Sequence, residues 1–188
     1  MTPFTFNTTP SLRMGAGLAR QLADIVLPVC GEDILFVTDP GMVATGLVGQ
    51  VVDNLRAAGL RVTVFDQVQA DPPEAVILQA ADVARVVSGV VGFGGGSSLD
   101  VAKLAALLAA SRQPLAEAYG IGNAKGPRLP LVLVPTTAGT GSEVTPISIV
   151  TTGASEKMGV VSPIILPDVA VLDPELTLGL PAHVTAAT

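Results

Sequence analysis

Residues 94–97, Gly-Gly-Gly-Ser, separate an apolar, β-branched stretch from a stretch rich in Ala and Leu. Glycine lets the backbone come close to a phosphate, and the first N–H groups of a following helix supply hydrogen bonds and the positive end of the helix dipole. Three successive glycines also cost backbone entropy that a turn needing one glycine would not justify. The run therefore predicts a phosphate-binding turn.

The common nucleotide-binding fingerprints do not match this run. Read as Gly-x-Gly-x-x-Gly from Gly92, the pattern ends in Ser97, and no Gly-Lys-Ser/Thr follows as in a Walker loop. In the usual dinucleotide fold an acidic residue comes about 20 residues after the glycines. Here the candidate acid, Asp39, comes before them, so the fingerprint alone is weak evidence for a dinucleotide site.

Short β-branched runs alternate along the chain with longer amphipathic stretches, which is typical of a mostly parallel α/β sheet with helices on both faces. The predicted strands are residues 34–38, 61–65, 89–93, 131–134 and 169–172, and residues 148–152 and 158–161 form a predicted hairpin. The predicted helices are residues 47–58, 71–85 and 98–108.

Two of these helices carry charged residues near their predicted starts. Asp71 and Glu74 have the spacing of a capping box, with Asp71 as the N-cap and proline in the first turn. Asp100 is expected to stabilise the start of its own helix, and Lys103, three residues later, to pair with it.

Composition excludes several classes of function. The 188 residues include 10 Lys and Arg against 16 Asp and Glu, for a net charge of −6, so no basic stripe is available for nucleic acid. The N-terminus lacks a signal sequence and the purest apolar run is too short for a bilayer, so no membrane partner is predicted. Cys30 is the only cysteine, which rules out an intrachain disulfide and favours a reducing compartment, the cytoplasm.

Metal and nucleophile chemistry is also restricted. His183 is the only histidine, which removes most histidine-rich metal sites and most nucleophile–histidine pairs. A single imidazole without a nearby Cys or carboxylate is expected to be structural. We therefore predict no catalytic side chain and no metal ligand in this chain.

Two longer motifs together identify a family. Residues 94–103 (GGGSSLDVAK) and 135–143 (PTTAGTGSE) resemble the iron-containing (group III) alcohol dehydrogenases, and the resemblance continues through residues 166–168 to 173–177. It implies a Rossmann-like α/β domain that holds NAD(P), followed by an all-helical domain that supplies one Asp and three His to a divalent metal, which is expected to be iron. We expect residues 1–180 to be the NAD(P)-binding domain and residues 181–188 to begin the helical metal-binding domain, which is otherwise absent.

The resemblance also implies cofactor contacts at ten positions. Asp39 would accept hydrogen bonds from the adenosine ribose, and its charge would repel a 2′-phosphate, so NAD is favoured over NADP. The other nine positions fall into three groups. The pyrophosphate would be bound by Gly95, Gly96 and Ser97, and the nicotinamide side by Thr136, Thr137 and Thr140. The same cleft would be lined by Lys157, Leu176 and Thr177. One departure is Asp-Pro-Pro at residues 71–73, where the family usually has Asn-Pro-Thr.

Alternatives stay open for the residues and for the function. Asp39 is also compatible with an ordinary loop acid, the threonines with caps and turns, and Lys157 with a solvated hairpin lysine. The favoured function is the nucleotide-binding domain of an NAD-dependent alcohol or aldehyde oxidoreductase that is a homo-oligomer at full length, with the metal expected only in the full-length architecture. The rivals are a metal-independent relative such as a maleylacetate reductase, and a non-catalytic dinucleotide-binding module.

Overall fold

A computed structural model describes residues 3–153, 156–180 and 182–187. The strands are β1 Ser11–Met14, β2 Asp33–Val37, β3 Arg61–Phe65, β4 Gly89–Gly94, β5 Gly120–Ile121, β6 Leu131–Pro135, β7 Ile147–Thr152, β8 Glu156–Val161 and β9 Val169–Leu172. The α-helices are α1 Leu22–Cys30, α2 Pro40–Ala44, α3 Leu47–Ala57, α4 Glu74–Ala84, α5 Gly96–Ser111, α6 Leu115–Ala118 and α7 Ala182–Ala187, with short 3-10 segments at Leu18–Gln21, Pro163–Ile165 and Pro174–Thr177.

Six strands form one parallel sheet in the order β1-β9-β6-β4-β2-β3. The central strands β4 and β6 are buried along their whole length, as expected for a parallel sheet covered on both faces. One apolar cluster packs α4 and α5 on one face, and a second packs α1 and α3 on the other. The predicted Rossmann-like α/β fold is confirmed.

Helix α5 is the centre of the molecule, because it packs against the large sheet and also against a second, smaller sheet. Twelve of its 16 residues are buried, and the second sheet has the order β5-β8-β7. Strands β7 and β8 are antiparallel, so the predicted hairpin is confirmed. Helix α5 begins at Gly96, two residues before its predicted start, and the turn after β4 is correspondingly short.

The predicted capping box at the start of α4 is wrong. Helix α4 begins at Glu74 with Pro73 as its N-cap, and no side chain caps it. A residue that precedes proline is disfavoured in the helical conformation, so Pro72 cannot join the helix and Asp71 lies too far upstream to cap it. The carboxylate of Glu74 instead accepts a hydrogen bond from the Tyr119 hydroxyl at 2.7 Å.

The end of the chain carries the short helix α7. The boundary at residues 180 and 181 stays a prediction, and the side chain of His183 lies outside the described residues. Within the described ranges, no helix combines the length and apolar character that crossing a membrane requires.

Candidate functional site

The predicted site residues converge where the parallel strands of the large sheet end. The chain leaves β2 toward β3 on one side and leaves β4 toward β6 on the other, so a crevice opens between the carboxyl ends of β2 and β4. Ligands of open α/β sheets bind at such a switch point. Asp39 follows β2 and Gly95 follows β4, and both line this crevice.

The absence of a side chain has a different reason at each of Gly94, Gly95 and Gly96. Gly94 has a φ of 149°, and a Cβ there would lie 2.7 Å from the Ser98 hydroxyl oxygen. A Cβ on Gly96 would lie 3.2 Å from the Thr140 methyl group. Backbone conformation and packing thus require glycine at position 94 and tight packing favours it at position 96, so the entropy argument for phosphate binding holds best for Gly95.

Gly95 is not required by the fold. It has an extended conformation, with φ −76° and ψ −178°, that any residue adopts, and a Cβ there would make an ordinary contact of 3.5 Å with Thr137. Gly95 is the N-cap of α5, and no side chain caps this helix. The N-terminus of a long buried helix therefore faces the crevice with a backbone that a ligand can approach.

Asp39 is held in a fixed orientation by two neighbours. It is the N-cap of α2, where its Oδ1 accepts a hydrogen bond from the Met42 N–H at 3.0 Å. Its Oδ2 accepts a hydrogen bond from the Ser98 hydroxyl at 3.1 Å. Each carboxylate oxygen has further lone-pair capacity, and the side chain is only half-buried, so Asp39 can also accept hydrogen bonds from a ligand.

Two adjoining cavities form one cleft around these residues, and Asp39, Gly41, Gly95 and Thr137 line both. The first, which we call the glycine cavity, has a volume of about 650 Å³. The second, the Met42 cavity, has a volume of about 760 Å³. A third cavity of about 290 Å³, the Thr177 cavity, also reaches Thr137.

The structure brings nine of the ten predicted site residues to these cavities. The glycine cavity is lined by Asp39, Gly95, Gly96, Ser97, Thr137 and Thr140, the Met42 cavity adds Thr136 and Leu176, and the Thr177 cavity adds Thr177.

Lys157 lines none of the three. Its ammonium group lies 2.6 Å from the Asp71 carboxylate and donates a hydrogen bond to the Thr151 hydroxyl at 2.8 Å.

The threonine loop after β6 carries an unsatisfied polar group beside the cleft. Thr136 is buried, and its N–H donates to the Gly94 carbonyl at 2.9 Å, which fixes the loop against the glycine turn. The hydroxyl oxygen of Thr137 is buried and has no hydrogen-bond partner within the described ranges. Buried polar groups are normally paired, and a ligand in the cleft would supply the partner that this hydroxyl lacks.

Asp100 and Lys103 hold the start of β7 rather than the start of their own helix. Asp100 lies one turn inside α5, and its Oδ2 accepts the Ile149 N–H at 3.0 Å. The fully buried Lys103 ammonium lies 3.6 Å from Asp100 and donates to the carbonyls of Thr145 and Ile147 at 3.0 and 2.8 Å.

Burial raises the pKa of Asp100 and lowers that of Lys103, and the attraction between the two opposes both shifts. The predicted pairing is present, whereas the predicted role of Asp100 at the helix start is wrong, because its carboxylate faces β7.

Sequence reasoning missed the short helix α2, and with it Met42, which lines the second cavity. Asp39 followed by proline is the signal that could have found this helix, since N-cap aspartate and proline at the first position favour a helix start. Gln69 and Ala70, which line the glycine cavity after β3, carry no local signal.

Most of the chain matches one known protein family. A model of the family described as iron-containing alcohol dehydrogenase matches residues 9–174. The chain belongs to this family.

Comparison with individual proteins of known function or structure agrees with this family assignment. A sulfoacetaldehyde reductase of Bilophila wadsworthia (strain 3_1_6) is 37% identical over 188 residues, which cover 98% of this chain and 49% of the relative. The crystal structure of a 1,3-propanediol oxidoreductase superimposes with a TM-score of 0.93 at 33% identity, over 100% of this chain and 50% of that chain. A sulfoacetaldehyde reductase from Bifidobacterium kashiwanohense, solved in complex with NAD⁺, superimposes with a TM-score of 0.88 at 32% identity, again over 100% of this chain and 50% of that chain.

The chain thus spans about half the length of the iron-containing alcohol dehydrogenase relatives that it matches. In the part that the structure describes, no group of three or more His, Cys, Asp or Glu side chains could hold a metal ion. Burial raises the pKa of Cys30 to about 12, so this thiol is neither a ready nucleophile nor a thiolate ligand at neutral pH.

Proposed function

We propose that this chain is the nucleotide-binding part of an NAD-dependent alcohol or aldehyde oxidoreductase. One observation carries the proposal: at the switch point of the sheet, a fixed carboxylate, Asp39, and the unobstructed backbone of Gly95 line one cleft with the unpartnered hydroxyl of Thr137. A carboxylate for ribose hydroxyls beside a helix N-terminus for phosphates suits a dinucleotide.

Each residue group has a separate task in this proposal. The backbone of Gly95, Gly96 and Ser97 binds the pyrophosphate, and Asp39 accepts hydrogen bonds from the adenosine ribose. The loop residues Thr136, Thr137 and Thr140 orient the nicotinamide side, and Leu176 and Thr177 line the adjoining Met42 and Thr177 cavities. NAD, when bound, supplies hydride transfer at its nicotinamide ring.

Asp39 also determines which cofactor is preferred. Its carboxylate is anchored by Met42 and Ser98, so it cannot turn away from a 2′-phosphate without losing a hydrogen bond. A fixed negative charge beside a phosphate repels it. We therefore propose NAD rather than NADP as the cofactor.

The metal is proposed for the other half of the family architecture. The described residues provide no ligand cluster for iron or another divalent ion, so no step of the reaction is assigned to a metal held by this chain. We propose that the full-length protein is a cytoplasmic homo-oligomer in which the half not spanned here supplies the metal ligands. The 188-residue chain is then expected to oxidise no alcohol, with or without added iron or zinc.

Thr137→Val tests the binding proposal with two opposite readouts. Valine keeps the shape of threonine and removes a buried, unpartnered hydroxyl, so thermal stability should rise slightly. The same change should weaken NAD binding about five- to tenfold in calorimetric titration, because a ligand group loses its hydrogen bond. Unchanged NAD affinity, or no NAD binding by the unmodified chain, would contradict the proposal.

A further inference from the structure

Ser98 connects the buried helix α5 to the side chain of Asp39. It is the third residue of α5, is 1% exposed and lines the glycine cavity. Its hydroxyl donates a hydrogen bond to Asp39 Oδ2 at 3.1 Å. A serine hydroxyl carries one proton, so while this bond is made Ser98 has none left to donate to a phosphate. Ser98 therefore acts on a ligand through Asp39.

Gly94 supplies the space for this hydrogen bond. A Cβ at Gly94 would lie 2.7 Å from the Ser98 hydroxyl oxygen and 3.0 Å from Asp39 Oδ2. The donor and the acceptor thus both border the space that a side chain at position 94 would fill. The first glycine of the turn therefore allows α5 to reach the carboxylate that follows β2.

The two hydrogen-bond donors to Asp39 lie on helices of different rigidity. The Met42 N–H belongs to α2, a five-residue helix whose described residues are all at least partly exposed. Ser98 belongs to α5, in which 12 of the 16 residues are buried. Short exposed segments open locally at a low free-energy cost, whereas buried core elements do not. The hydrogen bond from Ser98 is therefore the one that fixes the carboxylate of Asp39 relative to the cleft.

We propose that Ser98 is a positioning residue for the choice of cofactor, which holds the Asp39 carboxylate in the orientation that accepts ribose hydroxyls and repels a 2′-phosphate. This inference rests on the proposed function, because it takes a dinucleotide as the ligand of the cleft. Without the Ser98 hydroxyl, Oδ2 of Asp39 is free to turn away from a 2′-phosphate, and the repulsion falls with distance. The freed carboxylate must also be ordered again before it accepts the ribose hydroxyls, so NAD binding weakens.

Calorimetric titration of Ser98→Ala with NAD and with NADP tests this inference on the 188-residue chain. The preference for NAD, measured as the ratio of the two dissociation constants, should fall about three- to fivefold. This change is smaller than the change of about tenfold expected when Asp39→Asn removes the charge. In the Asp39→Asn background, Ser98→Ala should leave the ratio unchanged, because no carboxylate remains to be positioned.

Ser148→Ala is the matched control. The Ser148 hydroxyl is also buried and also bonds to α5, where it donates to the Asp100 carbonyl at 3.2 Å on the side of the helix that faces β7. Its loss should lower the thermal stability of the chain and leave the ratio of the NAD and NADP dissociation constants unchanged. Alanine is a favourable residue in a helix, so Ser98→Ala should fold, and its circular dichroism spectrum checks this.

Each other role of Ser98 gives a different result. If its hydroxyl contacted a phosphate directly, Ser98→Ala would weaken NAD and NADP binding equally and leave the ratio unchanged. If it only screened the charge of Asp39, its loss would strengthen the repulsion and raise the preference for NAD. Either result would overturn the inference, and so would a fall in the ratio that is equally large in the Asp39→Asn background.

The same titrations separate this inference from the proposed function. If the unmodified chain binds NAD no better than NADP, the proposed cofactor preference fails and this inference fails with it. If the unmodified chain prefers NAD and Ser98→Ala keeps the same ratio, only the positioning role of Ser98 is refuted.

Discussion

The carboxylate of Asp39 accepts a hydrogen bond from the hydroxyl of Ser98 at 3.1 Å, which ties the carboxyl end of β2 to the first turn of α5. The other carboxylate oxygen accepts the N–H of Met42. One side chain therefore caps α2, braces the glycine turn and lines both cavities of the cleft. Substitutions at position 39 must be chosen so that the structural hydrogen bonds survive.

Asp39→Asn is the substitution that isolates the charge. The amide oxygen still accepts the Met42 N–H, and the amide NH₂ can donate to Ser98, so the fold is retained. Loss of the negative charge should reduce the preference for NAD over NADP by about tenfold, since the repulsion of a 2′-phosphate is removed. Titration of both cofactors measures the ratio, and Asp24→Asn on an exposed part of α1 is the matched control. An unchanged ratio of NAD to NADP affinity would mean that Asp39 only caps α2 and holds Ser98, without contributing to the choice of cofactor.

Gly95→Ala and Gly96→Ala should separate binding from folding. At Gly95 the new methyl group lies 3.5 Å from Thr137 in an unstrained backbone, so the melting temperature should stay close to that of the unmodified chain while NAD affinity falls at least about tenfold. At Gly96 the methyl group lies 3.2 Å from the Thr140 methyl group and 3.3 Å from the Ser142 hydroxyl, so thermal stability should fall as well. Equal melting temperatures for the two variants would contradict this explanation of the glycine turn.

Lys103→Met should destabilise the chain strongly. It leaves Asp100 buried without its cation and the carbonyls of Thr145 and Ile147 without their donor. Breaking a buried ion pair from one side typically costs about 3–5 kcal/mol, measured here by denaturant unfolding. The double variant Asp100→Asn/Lys103→Met should recover part of this loss, because the uncompensated charge is gone. A loss for Lys103→Met of no more than about 1 kcal/mol, the level of an exposed pair, would contradict the buried-pair description.

Asp168 should make stability depend on pH in the acid range. Burial acts to raise the pKa of Asp168, but the hydrogen bonds from Arg128 and the Leu131 N–H outweigh it, and the pKa is held below its usual value. A carboxyl group whose folded pKa is lowered stabilises the protein above its unfolded pKa of about 4, and this contribution is lost as the pH falls through the folded value.

Denaturant unfolding of Asp168→Asn measures this contribution. The variant should be less stable than the unmodified chain at about pH 7, and the difference should narrow as the pH falls below about 4. A difference that is the same at about pH 7 and about pH 3 would show that the charge of Asp168 is not responsible.

The sequence was sufficient for five of the six strands of the large sheet and for most of the cleft, whereas β1 and helix α1 were not predicted. Residues 61–65 and 169–172 were located to the residue, because each is a short run rich in β-branched residues with turn residues on either side. Asp39 and Gly95 were assigned to one site by the resemblance to the iron-containing alcohol dehydrogenases, and their positions agree with the rule that ligands bind at the carboxyl ends of neighbouring parallel strands. The strands depend on local pattern, whereas the site depends on the two longer motifs.

The side-chain contacts that the sequence did not predict join residues that are far apart along the chain. Asp71 and Lys157 are far apart in sequence, and although aspartate is one of the residue types that adopt positive φ, no local pattern shows that its carboxylate meets Lys157. Asp100 carries the same difficulty, since the β7 N–H that it accepts comes from Ile149, in a segment 49 residues later. Such long-range pairings follow from the packing of α5 and of the segment before α4 against the hairpin, which neither periodicity nor capping rules describe.

The most direct test of the dinucleotide site is an amide NMR titration of the 188-residue chain with NAD. We expect saturable chemical-shift changes at Gly95, Gly96, Ser97 and Thr137 and at Asp39, with smaller changes for NADP at equal concentration. Residues at the opposite, amino-terminal ends of the strands, such as Asp33, Arg61 and Gly89, should not shift. The absence of saturable shifts, or shifts confined to residues outside the cleft, would contradict the assignment of this cleft to a dinucleotide.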